Sequence, residues 1–72
     1  MSADSIMLTE REDDVIRLIL QGHTNRQIAC ALSIAEHTVE RHLGNIYRKL
    51  GVTNRTSAAL RFMEMSGTGN PS

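Results

Sequence analysis

Apolar residues recur along this chain at the three- and four-residue intervals of amphipathic helices, and no segment alternates apolar and polar residues as a strand does. Four segments show these intervals and predict an all-α fold, a compact four-helix domain with helices over about residues 9–21, 25–32, 36–50 and 54–65. The third segment is the clearest, with an apolar stripe at Val39, Leu43, Ile46 and Leu50. The other predicted core residues are Val15, Ile16, Ile19, Leu20, Ile28, Ala29, Leu32, Ala58, Ala59, Phe62 and Met63.

Capping signals set the bounds of these helices. In a capping box, a threonine and the residue three positions later satisfy each other's backbone N–H groups. Two such boxes are expected, at Thr9 with Glu12 and at Thr24 with Gln27. Gly22 and Gly51 can adopt the left-handed conformation that ends the first and third helices, and Thr53 is predicted to cap the fourth.

Only three residues, 33–35, separate the second predicted helix from the third. So short a link favours a helix-turn-helix arrangement, in which the two helices cross steeply. Ile28 and Leu32 would pack the apolar side of the first helix of the pair against the core, and the small Ala29 would let the two helices approach each other. Ile34 would plug the turn. An ordinary helical hairpin in a small bundle is the alternative at this point.

Length and composition restrict the class of protein. Seventy-two residues, 40% of them hydrophobic, suit one small globular domain and exclude a second domain that closes over a substrate pocket. The longest apolar run is too short to span a membrane, and the first residues lack the features of a secretory signal. The single cysteine, Cys30, cannot form an internal disulfide, so a reducing, cytoplasmic location is expected.

The formal net charge of zero argues against a nucleic-acid partner until the charges are placed along the chain. Residues 1–16 carry five acids and one base, a balance of −4, whereas residues 17–72 carry seven bases and three acids, a balance of +4. Four of the acids fall in the first turn of the first helix, where the helix dipole favours anions. Five bases and no acid lie between Arg41 and Arg61. The zero is therefore the sum of two poles, and the basic pole suits a polyanion.

The third predicted helix has a polar face opposite its apolar stripe. At about 100° per residue, the outward positions and their two flanks are His37, Thr38, Glu40, Arg41, His42, Gly44, Asn45, Tyr47, Arg48 and Lys49. Such a face suits the major groove of DNA, where arginine can bond a guanine edge and glutamate can accept from cytosine. Arg26, Arg48 and Lys49 can neutralise phosphates, and the start of the second helix offers free N–H groups to another phosphate.

Several motifs together are more specific than a bare helix-turn-helix. They are L-T-x-R-E at 8–12, T-N-x-x-I-A at 24–29, T-V-x-x-H-x-x-N-I at 38–46, K-L-G-V at 49–52, and Asn54–Arg55 followed by Ala58. With these motifs the chain resembles the LuxR/FixJ-type helix-turn-helix domain of bacterial transcription regulators, from about Leu8 to Met65. Residues 1–7 are then expected to be a linker, 8–66 the domain with its helix-turn-helix at about 25–44, and 67–72 a flexible tail.

The resemblance implies roles for particular residues. The third helix of the family enters the major groove, and the fourth forms most of a dimer interface on paired half-sites. The base-reading residues that the resemblance implies are Glu40, Arg41 and Gly44, and the outward position of His37 adds a fourth expected base contact. The expected DNA-backbone contacts are Thr24, Asn25, Arg26, Thr38, Asn45, Arg48 and Lys49. The expected dimer residues are Ala59, Leu60 and Met63.

The chain departs from the family pattern at several positions. Ser33 stands where the family usually has glycine, which predicts a positive φ at some cost. Ala35 stands where serine or threonine usually opens the third helix, so a cap worth about 1 kcal/mol is expected to be missing. Cys30 and Ala31 replace a common basic pair, and Glu40 replaces a common lysine. Gly44 inside a helix costs about 1 kcal/mol relative to alanine; it either lets the backbone approach a base or simply shortens the list of contacts.

The resemblance, together with the exposed polar face of the third helix, implies sequence-specific binding of double-stranded DNA by a transcription regulator, as a homodimer, with RNA polymerase as a further expected partner. The domain is expected to act as the output of a larger or signal-controlled protein, and no membrane or small-molecule partner is expected for it. Two alternatives are a helix-turn-helix module for protein interaction with little DNA affinity, and the promoter-reading domain of a sigma factor. The evidence for the protein-interaction module is the neutral net charge, the acidic Glu40 and the absence of a basic pair at positions 30 and 31.

No enzymatic activity, cofactor or metal is expected. The sequence contains no set of nucleophile, base and orienting group and no glycine-rich phosphate loop. The three histidines and Cys30 do not have the spacing of a zinc site. His42, beside the apolar stripe, is expected to pack or to form hydrogen bonds.

Overall fold

A computed structural model describes residues 8–66, which form four helices: α1 (Glu10–Leu20), α2 (Asn25–Leu32), α3 (Glu36–Leu50) and α4 (Arg55–Ser66). No strand occurs within these residues. The fold class is therefore confirmed, and each helix begins and ends within one residue of its predicted bound. The predicted linker at 1–7 and tail at 67–72 lie outside the described residues.

Both predicted capping boxes are present. At the start of α1, Thr9 Oγ1 accepts from the N–H of Glu12 at 3.1 Å, and Glu12 Oε1 accepts from the N–H of Thr9 at 3.0 Å. At the start of α2, Thr24 and Gln27 make the same pair of bonds at 3.1 and 2.9 Å. Each box satisfies two N–H groups that the helix leaves without a partner. The first turns of α1 and α2 are thus defined by local sequence.

The glycine stops are also found, but the predicted cap of α4 is wrong. Gly22 and Gly51 have φ of +91° and +71°, in the left-handed region that glycine adopts at little cost. At the start of α4, the side chain of Asn54, not that of Thr53, accepts from the N–H of Ser57 at 2.8 Å. A cap must lie directly before the first helical residue to reach the third N–H group, and Thr53 is one position too early.

The core lies where α3 packs against the other three helices. The stripe on α3 is buried as predicted, and all of its side chains are at most 5% exposed. Around it lie the buried residues Val15, Ile16, Ile19, Ile28, Ala29, Ala58 and Phe62, whereas Leu32, Ala59 and Met63 are only half-buried. Leu20, predicted to be buried, is 37% exposed because α1 ends there and the side chain lies at the edge of the core.

One ion pair joins α1 to the last turn of α3. Glu12 is 3% exposed, and the Oε1 that closes the capping box also accepts from Lys49 Nζ at 2.7 Å. Burial alone would raise the pKa of Glu12, but hydrogen bonds from Lys49 and Thr9, with the positive charge of Lys49, hold this pKa below its ordinary value. A smaller contribution comes from His42. The ionised carboxylate therefore stabilises the folded state.

The depressed pKa of Glu12 predicts an acid-sensitive contribution to stability. Because the pKa is lower in the folded chain than in the unfolded chain, the contribution is complete above the unfolded pKa of about 4.3. It is lost as the pH falls through the folded value. We expect Glu12→Gln to lower the free energy of unfolding by about 1.5–3 kcal/mol at pH 7 and by progressively less as the pH falls below 4.

Urea unfolding followed by circular dichroism at pH 7, 5, 4 and 3 checks this expectation. Asp14→Asn is the matched control, since Asp14 is half-exposed and lies 3.8 Å from its partner Arg11. Its effect is expected to stay below about 1 kcal/mol at every pH. A difference between wild type and Glu12→Gln that does not shrink with falling pH would contradict the assignment.

Candidate nucleic-acid interface

The turn between α2 and α3 is made by three residues, and the first of them takes the expected strained conformation. Ser33 has φ of +59° and ψ of +45°, in the left-handed region. The next residue, Ile34, donates its N–H to the carbonyl of Ala29 at 2.9 Å and packs its half-buried side chain against the core. The turn is therefore tied to both α2 and the core, and it fixes the direction in which α3 leaves.

The start of α3 lacks a side-chain cap, as the sequence predicts. Ala35 is the capping residue, and it can offer only its carbonyl, which accepts from the N–H groups of Thr38 and Val39 at 3.0 and 3.2 Å. No side chain accepts a hydrogen bond from the first turn. The helix that carries the predicted reading face therefore begins without the reinforcement that α1 and α2 receive.

The face of α3 opposite the core is exposed. The residues expected to read bases, His37, Glu40, Arg41 and Gly44, are all exposed. Arg48 is exposed one turn after Gly44, and Thr38 and Asn45 are half-buried along the edges of the same face. One helix thus brings together most of the predicted DNA contacts, with the four buried residues of its apolar stripe behind them.

The charges of the domain divide into paired and unpaired groups. The paired bases bind acids of α1: Arg11 with Asp14 at 3.8 Å, Arg17 with Asp13 at 2.6 Å, and Lys49 with Glu12 at 2.7 Å. Among the described residues, no ion pair involves Arg26, Arg41, Arg48 or Glu40. The acidic pole is thus largely compensated within the fold, whereas the charges on the outer face of α3 remain available to a partner.

Three of the predicted DNA-backbone contacts already have partners within the domain. The ammonium group of Lys49 binds Glu12, so a phosphate contact would have to share it. Asn25 uses its side-chain oxygen to accept from Arg55 Nη1 at 2.7 Å. Thr24 is exposed, but its N–H and its hydroxyl oxygen are used in the capping box with Gln27. Arg26, by contrast, is exposed at the start of α2 and forms no ion pair among the described residues.

Arg55 has a role that the sequence does not reveal. Its guanidinium group donates to the side chain of Asn25 and to the carbonyl of His23, and so ties the start of α4 to the start of α2. Spacing gives no indication of this contact, because about thirty residues separate the partners. The only sign in the sequence is the Asn54–Arg55 pair of the motif. Arg55 also lines an open groove together with Gly22, Thr24, Asn25, Arg26 and Glu36.

The predicted dimer residues lie on the outer part of α4. Leu60 is 56% exposed, the highest value among the large hydrophobic residues that the structure describes, and Ala59 and Met63 are half-buried. Ala58 and Phe62 are buried in the core from the same helix. The inner side of α4 therefore accounts for two of its apolar residues and leaves Leu60 toward solvent.

Three further features concern other kinds of site. Cys30 is a free thiol on the exposed side of α2, two positions after the buried Ile28. Within residues 8–66 no group of three or more His, Cys, Asp or Glu side chains is arranged to hold a metal ion. None of the helices described combines the length and the apolar character needed to cross a membrane.

Comparison with known families decides between a helix-turn-helix and an ordinary helical hairpin. The profile of the bacterial regulatory proteins of the luxR family matches residues 6–62, most of the chain. The chain belongs to the luxR family. The exposed α3 that follows the turn at 33–35 is therefore the third helix of a luxR-family helix-turn-helix domain, and the ordinary helical hairpin is excluded.

Individual relatives agree with the family assignment. The chain is 46% identical over 61 residues to the nitrate/nitrite response regulator NarP of Escherichia coli (strain K12), a match that covers 85% of this chain and 28% of NarP. The crystal structure of ChrA, the response regulator of a heme-sensing two-component system, superimposes with a TM-score of 0.82 at 43% identity, covering 83% of this chain and 30% of ChrA. The transcription factor GerE superimposes with a TM-score of 0.78 at 34% identity, covering 82% of this chain and 88% of GerE.

The lengths of these relatives differ. The chain spans less than a third of NarP and of ChrA, but most of GerE. A luxR-family domain therefore occurs both within longer regulators and as nearly the whole of a short one.

The missing cap of α3 predicts a stabilising substitution in this luxR-family domain. Ala35→Ser places a hydroxyl where it can accept from the N–H of Thr38, so we expect the free energy of unfolding to rise by about 1 kcal/mol. For a domain of this size, the melting temperature should rise by about 4–8 °C. Ala35→Val adds side-chain volume without an acceptor and is the control. Equal melting temperatures for the two variants in a thermal scan would contradict the capping account.

Proposed function

We propose that this luxR-family domain binds double-stranded DNA in a sequence-specific manner as the DNA-binding part of a bacterial transcription regulator, with α3 in the major groove. The observation that carries the proposal is the exposed outer face of α3, where Arg41, Arg48 and Glu40 have no ion-pair partner in the described structure. Charged side chains left unpaired on a rigid helix are prepared to contact phosphates and base edges.

Arg41 and Glu40 are the proposed base readers. The guanidinium group of Arg41 can donate two hydrogen bonds to the O6 and N7 atoms of guanine, and the carboxylate of Glu40 can accept from the amino group of cytosine. His37, near the start of α3, is a further proposed contact at the end of the reading face.

The phosphate contacts are proposed at both edges of the reading face. Arg48 and Arg26 carry unpaired positive charges, and Thr24 lies at the start of α2, where the helix dipole attracts an anion. Thr38, Asn45, Asn25 and Lys49 complete the proposed set. Few of these groups are strongly basic, and the net charge of the whole chain is zero. Specific binding must therefore depend on base contacts more than on a general attraction to DNA.

The proposed regulator responds to a signal. NarP is named a nitrate/nitrite response regulator and ChrA a response regulator of a heme-sensing system. Both are more than three times as long as their matched regions. We infer that the domain acts under the control of a receiver or ligand-binding domain, as an output module in the cytoplasm.

Salt-dependent binding to DNA tests the proposal. Wild type should bind random-sequence duplex DNA weakly at 50 mM salt, and this binding should fall steeply with added salt. Arg41→Ala and Arg48→Ala should weaken it, and loss of a phosphate contact by Arg48→Ala should reduce the slope of log K against log salt by about 0.9. Fluorescence anisotropy of a labelled duplex measures both quantities.

Arg11→Ala is the charge-matched control, because it removes one positive charge that is exposed on α1 beside Asp14. Its affinity and slope should match those of wild type. Equal losses in all three variants would indicate a nonspecific effect of net charge. An absence of binding by wild type at low salt would overturn the proposal and favour a protein-interaction module.

We further propose that two copies associate through α4. Leu60 is exposed on that helix beside the half-buried Ala59 and Met63, and solvent contact with such a side chain costs free energy that association recovers. A two-fold arrangement would place the same patch of each copy against the other. Paired reading helices would then contact two half-sites, and dimerisation would strengthen a modest electrostatic attraction.

Leu60→Glu should weaken this association. A carboxylate at the centre of the patch would be desolvated in the dimer, so we expect the dissociation constant to rise by roughly tenfold or more. Leu20→Glu is the matched control, since Leu20 is also a partly exposed leucine, at the end of α1. Sedimentation velocity over a range of protein concentrations measures both. An unchanged mass distribution for Leu60→Glu, or equal changes in both variants, would exclude the α4 interface.

A further inference from the structure

Gly44 lies in the middle of α3, and nothing within the described chain requires a glycine there. Its φ is negative, unlike those of Gly22 and Gly51, so no left-handed conformation calls for it. A β-carbon built at position 44 would meet no atom within 4 Å. The residue is exposed, on the side of α3 away from the core. Neither backbone conformation nor packing therefore explains the absence of a side chain.

Long charged side chains border the space that a side chain at position 44 would occupy. Glu40 lies one turn before Gly44 and Arg48 one turn after it, and both side chains are exposed. Arg41, three positions before Gly44, borders the same area. A strip of bare backbone thus lies between long charged side chains, at the centre of the proposed reading face. A group that contacts this strip must come close to the helix axis.

The chemistry of the exposed strip restricts what it can recognise. Gly44 lies inside a 15-residue helix, where its N–H and C=O groups are used in the helical hydrogen bonds. It can therefore present only the hydrogens on its α-carbon, which neither donate nor accept conventional hydrogen bonds. The apolar feature of the major groove is the C5-methyl group of thymine. A methyl group between charged neighbours would fill the gap and remove apolar surface from water.

We propose that Gly44 is a specificity-determining position, at which the backbone of α3 packs directly against the methyl group of one thymine in each half-site. The inference rests on the proposed DNA binding and adds one base preference to it. A β-carbon at this position would occupy the space of the methyl group. The proposed specificity requires the gap, although the helix would be more stable with alanine at this position.

The inference is tested by removing the methyl group from the DNA and, separately, by adding a methyl group to the protein at position 44. A binding site is first selected with wild type from a random duplex pool, and each thymine is then replaced in turn by uracil, which lacks only the methyl group. At one thymine per half-site, wild type should lose about fourfold in affinity, the equivalent of one buried methyl group. Gly44→Ala should bind the thymine site roughly tenfold less tightly than wild type. It should bind the uracil site more tightly than the thymine site.

A stability measurement accompanies the binding assay. Gly44→Ala should raise the melting temperature by several degrees, about 4 °C or more, because alanine favours the helix and the position is open. A lower affinity in a more stable protein cannot come from unfolding. Binding of Gly44→Ala to random duplex DNA should stay within about twofold of wild type, since phosphate contacts are unaffected.

The outcomes separate the two proposals. If wild type binds no duplex at low salt, the proposed function fails and this inference fails with it. If wild type binds DNA but uracil replacement has the same effect in both proteins, only the inference about Gly44 is overturned. Unchanged or tighter binding of Gly44→Ala to the thymine site, or a lower melting temperature for that variant, would also overturn it alone.

Discussion

Burial of one side of α3 is the constraint on which the rest of the domain depends. The side chains of Val39, Leu43, Ile46 and Leu50 are at most 5% exposed and contact all three other helices. Each contributes about 1.5–3 kcal/mol, and the buried carboxylate of Glu12 with its hydrogen bond from Lys49 contributes about as much as one of them. The four residues of the apolar stripe thus contribute more to the stability of the fold than the ion pair does. The ion pair fixes the last turn of α3 against the start of α1. Because one side of the helix is anchored, the opposite side can carry charges that have no partner.

The distribution of charge explains how a neutral chain can bind a polyanion. Acids of α1 bind Arg11, Arg17 and Lys49, so much of the acidic pole is used within the domain. Arg41 and Arg48 are exposed and form no ion pair among the described residues, so their charges are available to an external partner. Net charge is a sum over the chain, but a ligand responds to the local field at the surface it approaches. Zero net charge therefore indicates that the general electrostatic attraction to a polyanion is modest, and that binding depends more on contacts made by particular residues.

Three residues in or near the helix-turn-helix lower the stability of the folded domain. Two belong to the turn, and the third lies on the proposed reading face. Ser33 adopts a left-handed conformation at a cost of about 1 kcal/mol, and Ala35 omits a cap worth about the same amount. Gly44 costs about 1 kcal/mol relative to alanine. Together these costs are a sizeable part of the 5–15 kcal/mol typical of a folded domain. Ser33 and Ala35 belong to the turn, where a substitution can recover stability; Gly44 lies on the proposed reading face, where recovery would cost specificity.

Local sequence was sufficient to predict the four helices, the two capping boxes, the glycine stops and the outer face of α3. Those features depend on neighbours within four or five residues, and periodicity and capping rules describe such neighbours well. The same rules placed the cap of α4 one residue early, at Thr53 instead of Asn54, and overestimated the burial of Leu20 at the end of α1. Tertiary structure was needed for the contacts between distant residues, whereas Arg11–Asp14 and Arg17–Asp13 are only three and four positions apart on one helix. Lys49 meets Glu12 across 37 residues and Arg55 meets Asn25 across 30, because packing of the apolar faces brings those helix ends together. No spacing rule connects residues so far apart, since their contact is a consequence of the core that forms between them.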